Sequence, residues 1–482
     1  MGYYSDKYEA VIGLEVHAQL MTKSKLFCPD PIAFGAEPNK QISPISLAYP
    51  GTLPKLNEAA IELAVRLGLA CGCEIEERNY FARKHYFYPD LPKGYQISQH
   101  TTPICKGGMV TIVTSAGERN VQLNRIHMEE DAGKSVHDLY DDYSAIDYNR
   151  AGTPLVEIVT EPDLHNGEEA AAYFTELRNL VRYLGVCDGN MEEGSLRCDA
   201  NISIRPIGSK ELGTKAEVKN LNSIRYLRKA IDFEVKRMIE VVERGEKVKQ
   251  ETRGFDPDTE TTFSIRTKED ANDYRYFTDP DLPPFIVTDD FKEKIQRALP
   301  ELLAQRKLRL LRQYAIHEKD ATRIAADNEW THYFEETAKL HKSYQQIANW
   351  MLGSMKSYFN ETEIHIEASP FTPRLLAELI DLVESGSVSH SVAAQKLFPI
   401  LIKEGGSPKA LASSLNLIQE RDEDMLSELI DQVLNSMPGK VQEYKKGKKG
   451  LIGLFVGEVM KLSKGKADPK LLNQMIMQKL QA

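Results

Sequence analysis

Residues 11–20 read Val-Ile-Gly-Leu-Glu-Val-His-Ala-Gln-Leu, and two kinds of side chain alternate along them. Apolar residues occupy every even position from 12 to 20, whereas Glu15, His17 and Gln19 occupy odd positions. Because side chains of a β-strand point alternately to opposite faces, this period of two predicts a strand with one apolar and one polar face. We expect the apolar face to pack against the core and the three polar side chains to share the other face.

Around this strand, the first part of the chain mixes short β-type runs with helical patterns. Alternating runs cover Met109–Val113 and Pro154–Val159, and apolar residues at helical spacing cover Asn57–Leu69, Gly167–Leu184 and Ile224–Arg244. The order of these elements is irregular, which favours an α+β fold over a doubly wound parallel sheet.

Two clusters of Pro and Gly divide the sequence. The first, Pro280-Asp281-Leu282-Pro283-Pro284 followed by Pro300, precedes a region of almost continuous helical spacing, and the second is Gly405-Gly406-Ser407-Pro408. We therefore predict a β-rich domain over residues 1–295, an all-α domain over 296–407 and a small α-helical tail domain over 408–482. The predicted helices after the first cluster include Leu299–Leu311, Ala321–Leu340, Tyr344–Phe359, Pro373–Glu384 and Ser391–Lys403.

Length and composition agree with several folded domains. The chain has 482 residues, of which 41% are apolar and 27% charged, so neither a disordered nor a fibrous protein is expected. Its sequence shows neither an apolar stretch long enough to span a membrane nor a signal peptide. Six cysteines over this length indicate reduced thiols rather than disulfides. We expect a cytoplasmic protein without a membrane partner.

The charge of the chain is unevenly distributed. The net charge is −10, yet residues 437–482 contain ten lysines against three acidic residues, which leaves +7 on this end and −17 on the remainder. A basic end on an acidic body indicates a polyanionic partner for that segment alone. The alternative is a solvated helical face studded with lysines, and the charge pattern by itself does not separate the two.

Carboxylates are dense in two segments that could carry chemistry. Gly133-Lys134-Ser135 resembles the end of a phosphate-binding loop, but Met128 stands where that motif requires glycine, so we reject this interpretation. Instead the first segment offers Glu129, Glu130 and Asp131, and the second offers Glu157 and Glu161. Clustered oxygen ligands suit Mg²⁺, and Glu157 lies in an apolar run where an unpaired charge is costly. Salt-bridged surface acids are the alternative.

Three further features bear on ligands. Lys215 and Lys219 supply fixed cations suited to phosphate, whereas Ser223 is better explained as the N-cap of the helix that begins at Ile224. The aromatic and basic run from Arg83 to Asp90 is suited to stacking on a nucleotide or a single-stranded RNA end, or else to packing in a core. The cysteine spacing does not provide a four-ligand zinc site, and a nucleophilic Gly-x-Ser-x-Gly motif is absent from the sequence.

In these motifs the chain resembles the B-subunit family of tRNA-dependent amidotransferases, which convert Glu-tRNA(Gln) or Asp-tRNA(Asn) to the amide. The resemblance runs from Val11 to the end of the chain. The segments that carry it are Ile12–His17, Tyr86–Asp90 with Gln96–Gln99, His127–Lys134, Asn149–Asp163, Met191–Ser203 and Asp273–Phe277.

The resemblance implies a β-rich cradle domain that binds ATP, Mg²⁺ and the acceptor end of aminoacyl-tRNA. Such a cradle phosphorylates the tRNA-borne carboxylate, and ammonia from a partner glutaminase then displaces the phosphate. By motif position, the implied metal ligands are His17, Glu130 and Glu157, and Glu15 joins them as a catalytic residue. Lys215, Lys219 and Asp199 are the corresponding candidates for binding the cofactor.

The same resemblance implies partners and a tRNA-binding tail. The expected assembly is a heterotrimer with an amidase (glutaminase) A subunit and a small C subunit. Some relatives carry zinc on Cys-x-Cys and Cys-x-x-Cys, but here Cys28-Pro29-Asp30 and Ser43-Pro44-Ile45-Ser46 retain one of the four cysteines, so we predict no zinc. The lysines predicted to contact tRNA are Lys445, Lys446, Lys448, Lys449, Lys461, Lys464 and Lys466.

Two other functions remain open from the sequence. The chain could present tRNA to catalytic partners as a scaffold, with structural carboxylates, or it could be a free-standing metal-dependent phosphohydrolase that acts on nucleotides. Loss of ATP use on removal of a metal ligand would separate an enzyme from a scaffold. Dependence of ATP turnover on charged tRNA would separate the amidotransferase from the phosphohydrolase.

Overall fold

The structure is a computed structural model that describes residues 5–137, 139–267, 273–362, 366–418, 423–463, 467 and 469–481. The chain divides into two compact units, Met1–Pro300 and Glu301–Ala482. Within the described residues, the first unit holds all the strands and the second is helical. This arrangement confirms the predicted α+β class.

Within the described residues, the first unit is built on one large sheet and two further sheets of two strands each. Its described strands are β1 Tyr8–Gln19, β2 Glu74–Ile75, β3 Arg78–Asn79, β4 Ala82–His85, β5 Tyr95–Ser98, β6 Cys105–Lys106, β7 Met109–Thr114, β8 Gly117–Glu130, β9 Lys134–Val136, β10 Ala145–Asp147, β11 Pro154–Thr160, β12 Leu196–Pro206, β13 Ala216–Leu221, β14 Glu251–Asp256, β15 Thr261–Thr267, β16 Phe277–Thr278 and β17 Phe285–Ile286.

The order across the sheet is β15-β14-β13-β12-β1-β11-β8-β5-β4-β16, with β7 and β6 also paired to β8 and with β2 paired to β6. Neighbouring strands along this order pair antiparallel, apart from the parallel pair β13–β14. Strand β1 therefore lies in the middle of the sheet, between β12 and β11.

The two faces of β1 differ as the sequence predicts. Ile12, Leu14, Val16 and Ala18 are completely buried, whereas Glu15, His17 and Gln19 are partly exposed. Because hydrogen-bonded antiparallel neighbours share the same alternation, the polar face continues across the adjacent strands. The apolar side of β1 fixes its register, since a slip by one residue would bury the three polar side chains.

Helices complete the first unit. They are α1 Glu58–Ala70, α2 Gly167–Tyr183, α3 Ile224–Glu243 and α4 Asp289–Ala298. The side chains of Asn57 and Asn166 cap α1 and α2 by accepting backbone N–H bonds. Helices α2 and α3 pack against each other, and they also contact β7 and β12, respectively. Ser223 occupies the N-cap of α3, as predicted, although its side chain makes no capping hydrogen bond.

The second unit consists of short helices around two apolar cores, one between Leu310 and Ala412 and one between Leu426 and Leu480. Its described α-helices are α5 Leu303–Tyr314, α6 Glu318–Ala325, α7 Asn328–Leu340, α8 Tyr344–Trp350, α9 Lys356–Thr362, α10 Pro373–Glu384, α11 His390–Val392, α12 Phe398–Glu404, α13 Pro408–Ser414, α14 Glu423–Ser436, α15 Pro438–Lys445, α16 Ile452–Leu462 and α17 Pro469–Gln481.

The predicted division into domains ending at residues 295 and 407 stays a prediction. Among the described helices, none combines the length and apolar composition that crossing a membrane requires.

Candidate active site

The polar face of the sheet brings together side chains that are far apart in the sequence. In the β1–β11 pair His17 lies opposite Glu157, and in the β11–β8 pair Glu157 lies opposite His127. On the other side of β1, Glu15 lies opposite Asp199 and Gly13 opposite Asn201. Residues at odd positions of β1 and their partners thus form a continuous polar surface across four central strands.

Two histidines and two glutamates form the first cluster on this surface. Glu157 Oε2 lies 3.4 Å from His17 Nε2 and 3.5 Å from His127 Nε2. Glu129 lies 3.8 Å from each of the same two imidazoles. Ligand atoms of His17, Glu129 and Glu157 all lie within 4.8 Å of one another, which is close enough for one cation to contact all three.

This cluster is largely removed from water, and its charges interact strongly. Burial raises the pKa of Glu157, but His127, His17 and Lys84 outweigh that effect and hold the pKa below its ordinary value. Burial lowers the pKa of His17, but the hydrogen bond and charge of Glu157 and the charge of Glu129 leave it above its ordinary value. Nδ1 of His17 is buried and has no hydrogen-bond partner among the described residues.

A second cluster lies next to the first, on β1, β12 and β13. Ligand atoms of Glu15, Asp199 and Glu217 lie within 4.8 Å of one another. Lys219 Nζ contacts Asp199 at 3.1 Å and Glu217 at 2.9 Å, and Asn201 donates a hydrogen bond to Glu15 at 2.9 Å. Burial, followed by the charge of Glu157, raises the pKa of Glu15.

The prediction that Glu130 belongs to the same metal set as His17 and Glu157 needs a correction. In β8, Glu130 follows Glu129, so its side chain points to the opposite face of the strand. There its carboxylate pairs with Lys93 and accepts the N–H of Ile97 at 2.9 Å. Glu129 occupies the place in the cluster that the sequence assigned to Glu130.

Glu130 instead borders a cavity of about 300 Å³. The buried Lys25 and the half-buried Lys93 also line this cavity. Burial lowers the pKa of Lys25, and its Nζ donates a hydrogen bond to the carbonyl of Tyr148 at 3.2 Å. The cavity is therefore a separate feature of the first unit, lined by opposite charges.

The other predicted site residues are distributed as follows. Glu15, Lys219 and Asp199 come together in the second cluster, whereas Lys215 is exposed on the segment before β13. In the segments 28–30 and 43–46, Ser46 donates a hydrogen bond to Asp30 at 2.6 Å, and the Ser43 N–H donates to Ser46.

The predicted tRNA-binding lysines lie on the surface of the second unit where the structure describes them. Lys448 pairs with Glu443 at 3.1 Å, Lys461 pairs with Glu458 at 2.5 Å, and Lys449 lies 4.4 Å from the centre of the Tyr444 ring. Lys445 and Lys446 are exposed. Lys464 and Lys466 lie outside the described residues.

Several residues of the site lie outside the set assigned to it from the sequence, although Glu129 was among the carboxylates considered as Mg²⁺ ligands. His127 and Glu129 enter the first cluster, and Glu217 enters the second. Lys84 on β4 shares the face of Glu129, because it lies opposite Gln96 on β5 and Ser98 of β5 lies opposite Glu129. Burial lowers the pKa of Lys84, but the charges of Glu129 and Glu157 help to raise it above its ordinary value. The alternation His127-Met128-Glu129 was a signal for the first two, but the strand that faces it could not be read from the sequence.

Comparison with known proteins gives a consistent relationship over almost the whole chain. Residues 10–293 match the profile of the GatB/GatE catalytic domain, and residues 332–480 match the profile of the GatB domain. The B subunit of the aspartyl/glutamyl-tRNA(Asn/Gln) amidotransferase of Thermodesulfovibrio yellowstonii is 47% identical over 470 residues, covering 98% of both chains.

The B subunits of the same name from Bdellovibrio bacteriovorus and Persephonella marina are 47% and 45% identical, over 98% of this chain in both cases and over 99% and 100% of the relatives. With both domains matched and an identity well above 30% over the full length, the chain belongs to the family of aspartyl/glutamyl-tRNA(Asn/Gln) amidotransferase B subunits.

Proposed function

We propose that this chain is the phosphorylating and amidating subunit of a tRNA-dependent amidotransferase in the cytoplasm. It uses ATP to phosphorylate the side-chain carboxylate of Glu-tRNA(Gln), Asp-tRNA(Asn) or both. Ammonia then displaces the phosphate and leaves the amide on the tRNA. The observation that carries this proposal is the pair of adjoining clusters, His17–Glu129–Glu157 and Glu15–Asp199–Glu217, on one face of the sheet.

The residues present fit divalent cations. The second cluster offers carboxylates from three strands, which is the oxygen-rich set that Mg²⁺ prefers. The first adds an imidazole to two carboxylates, a mixed set that also suits Mn²⁺. A bound Mg²⁺ would neutralise charge on the phosphates of ATP.

The fixed cations of the site have a defined part in this proposal. Lys219 is anchored between Asp199 and Glu217, and Lys84 approaches the first cluster from the other side. Two cations on rigid strands can orient an anionic phosphate and an anionic carboxylate toward each other, so less orientation has to be gained during the reaction. Positioning and charge stabilisation account for most of the catalysis of phosphoryl transfer.

The proposal includes partners. An amidase (glutaminase) A subunit would release the ammonia, and a small C subunit would complete a heterotrimer. The exposed lysines of the second unit, including Lys445 and Lys446, would contact phosphates of the tRNA. Zinc has no part in this proposal. The carboxylate clusters favour a catalytic subunit over a purely tRNA-binding scaffold, because like charges gathered on adjacent strands destabilise a sheet unless a ligand offsets them.

The test is ATP consumption by the heterotrimer supplied with Glu-tRNA(Gln) or Asp-tRNA(Asn). We expect consumption to require charged tRNA and to fall below detection in Glu157→Gln, which removes a charge from the centre of the first cluster. Glu161→Gln is the matched control, since Glu161 follows the same strand and accepts a hydrogen bond from Asn124 at 2.8 Å. Full activity of Glu157→Gln would favour the scaffold, and consumption without tRNA would favour a phosphohydrolase.

A further inference from the structure

The loop that follows β4 presents two exposed aromatic side chains. Phe87 is 89% exposed and Tyr88 is 64% exposed. Two consecutive rings that are exposed to this extent bury little apolar area, so packing within the first unit contributes little to their presence.

The backbone of this loop is held in place. The hydroxyl of Tyr148 donates a hydrogen bond to the carbonyl of Pro89 at 2.7 Å, and the N–H of Gly133 donates to the carbonyl of Asp90 at 2.8 Å. Gly94 has a φ of +69°, and a Cβ added to it would meet the Phe87 ring at 3.2 Å, so this ring lies against a surface without a side chain. The two aromatic residues are thus displayed on a fixed loop.

The loop is continuous with the polar face that carries the proposed active site. Lys84 and Tyr86 precede the two exposed rings. Lys84 lies opposite Gln96 on β5, and Ser98 of β5 lies opposite Glu129 on β8. Burial, followed by the charge of Glu129, raises the pKa of Tyr86. The distance along the chain from Lys84 to Phe87 is three residues, which is about 10 Å for an extended chain.

Rings and a cation also alternate along residues 274–276, a segment whose first ring contacts Lys84. Lys84 Nζ lies 4.9 Å from the centre of the Tyr274 ring, and His100 stacks on Tyr276 with ring centres 4.0 Å apart. The side chain of Arg275 is 82% exposed between these two tyrosines. Flat rings interleaved with cations are the surface on which unpaired nucleobases stack, whereas a double helix offers no free base faces.

We propose that Phe87 and Tyr88 form a stacking platform for the single-stranded 3′ end of the tRNA. This inference rests on the proposed function and specifies how its substrate is held. Bases that stack on the exposed rings would place the terminal nucleotide, with its esterified amino acid, beside Lys84 and the first cluster. The positive charges of Lys84 and Arg275 would attract the phosphates between those bases.

The experiment compares the wild-type heterotrimer with the double variant Phe87→Ala/Tyr88→Ala. Binding is measured by fluorescence anisotropy with intact tRNA(Gln) and with the same transcript shortened by its last three nucleotides. The matched control is Phe34→Ala, which removes a ring that is 72% exposed on another loop. Phe87→Trp/Tyr88→Trp keeps the stacking surface and should bind like wild type.

We expect the double alanine variant to bind intact tRNA about tenfold more weakly, the loss of roughly one stacked base, and to bind the shortened tRNA like wild type. The KM for charged tRNA should rise by a similar factor, while the KM for ATP stays unchanged. Equal binding of intact tRNA by variant and wild type overturns the inference, and so does an equal loss with both transcripts. Loss of a partner subunit from the variant complex would instead assign the two rings to a protein interface.

These outcomes also separate the two proposals. If the variant uses ATP with charged tRNA at wild-type KM, the stacking platform fails and the proposed function stands. If the wild type binds intact tRNA through these rings but consumes no ATP with charged tRNA, the proposed function fails and the platform stands.

Discussion

Two adjacent glutamates on β8 provide the sharpest test of the site, because the structure gives them opposite roles. Glu129 points into the first cluster, 3.8 Å from His17 and from His127, whereas Glu130 points to the other face and pairs with Lys93. We expect Glu129→Gln to impair metal binding with little change in stability. We expect Glu130→Gln to destabilise the first unit and leave metal binding nearly intact.

The magnitudes follow from burial. Side-chain exposure is 4% for Glu130 and 15% for Lys93, so Glu130→Gln leaves a largely buried ammonium without a counter-charge, at a cost of about 3 kcal/mol or more. Glu129→Gln leaves Glu157 in contact with the same two imidazoles and removes the repulsion between the two carboxylates, so the metal-free stability should change by about 1 kcal/mol or less.

The stabilisation that a bound metal ion provides is a second, independent difference expected between the two variants. A cation present at about 100 times its dissociation constant stabilises the folded state by about 2.7 kcal/mol. If the loss of a ligand weakens binding about 100-fold, the same concentration stabilises Glu129→Gln by only about 0.4 kcal/mol. The assay is hydrogen exchange of the β1 amides with and without Mg²⁺ or Mn²⁺, supported by titration calorimetry. Normal metal binding by Glu129→Gln together with lost binding by Glu130→Gln would refute this assignment.

Three further predictions concern the rest of the chain. Lys445→Ala/Lys446→Ala should reduce the slope of log affinity for tRNA against log salt by about one per lysine, and an unchanged slope would remove these residues from the tRNA contact. The hydrogen bonds from Arg309 hold the pKa of Glu301 below its ordinary value, so this pair stabilises the second unit above the ordinary pKa of Glu. That contribution is lost as the pH falls through the lowered pKa, and Glu301→Gln should abolish this part of the pH dependence, measured by urea unfolding followed through the fluorescence of Trp330 and Trp350. Leu14→Ala, in the completely buried face of β1, should lower the free energy of unfolding of the first unit by about 3 kcal/mol, and a loss below about 1 kcal/mol would show that this face is not tightly packed.

Local sequence patterns were sufficient for much of the secondary structure. The alternation in residues 11–20 located the central strand and its buried face, and the apolar spacing located α1, α2 and α3 within one or two residues. These signals are strong because burial on one face imposes a single period over many residues.

Helix breaks inside apolar patterns were harder to predict. The single helix expected over Ala321–Leu340 is two helices, because the side chain of Asp327 accepts the N–H groups of Glu329 and Trp330 and starts a new helix. A π-helical segment over Met351–Met355, with non-helical backbone at Gly353, interrupts the helix expected over Tyr344–Phe359. In both cases the apolar spacing continues across the break, so periodicity alone cannot detect it.

The site was predicted less completely for a geometric reason. His17 and Glu157 were identified, but the choice between Glu129 and Glu130 depends on which residue of β8 lies opposite which residue of β11. The sequence does not specify that register, and an error of one residue transfers a side chain from one face of the sheet to the other. Glu217 and Lys219 reach the second cluster because β13 pairs with β12, a contact between segments separated by a glycine-containing loop.

The charge distribution on the polar face indicates what kind of substrate the sheet is built for. Five carboxylates from β1, β8, β11, β12 and β13 share this face, and directly opposed like charges destabilise a sheet. Burial, followed by the charge of Glu157, raises the pKa of Glu15, and His17 and Lys219 provide part of the compensation for the charge of this face. Divalent cations would complete it, and a face neutralised in that way would accept the phosphates of ATP that the bare carboxylates repel. The same residues that limit the stability of the sheet would therefore make nucleotide binding conditional on metal, which couples the two ligands without a conformational change.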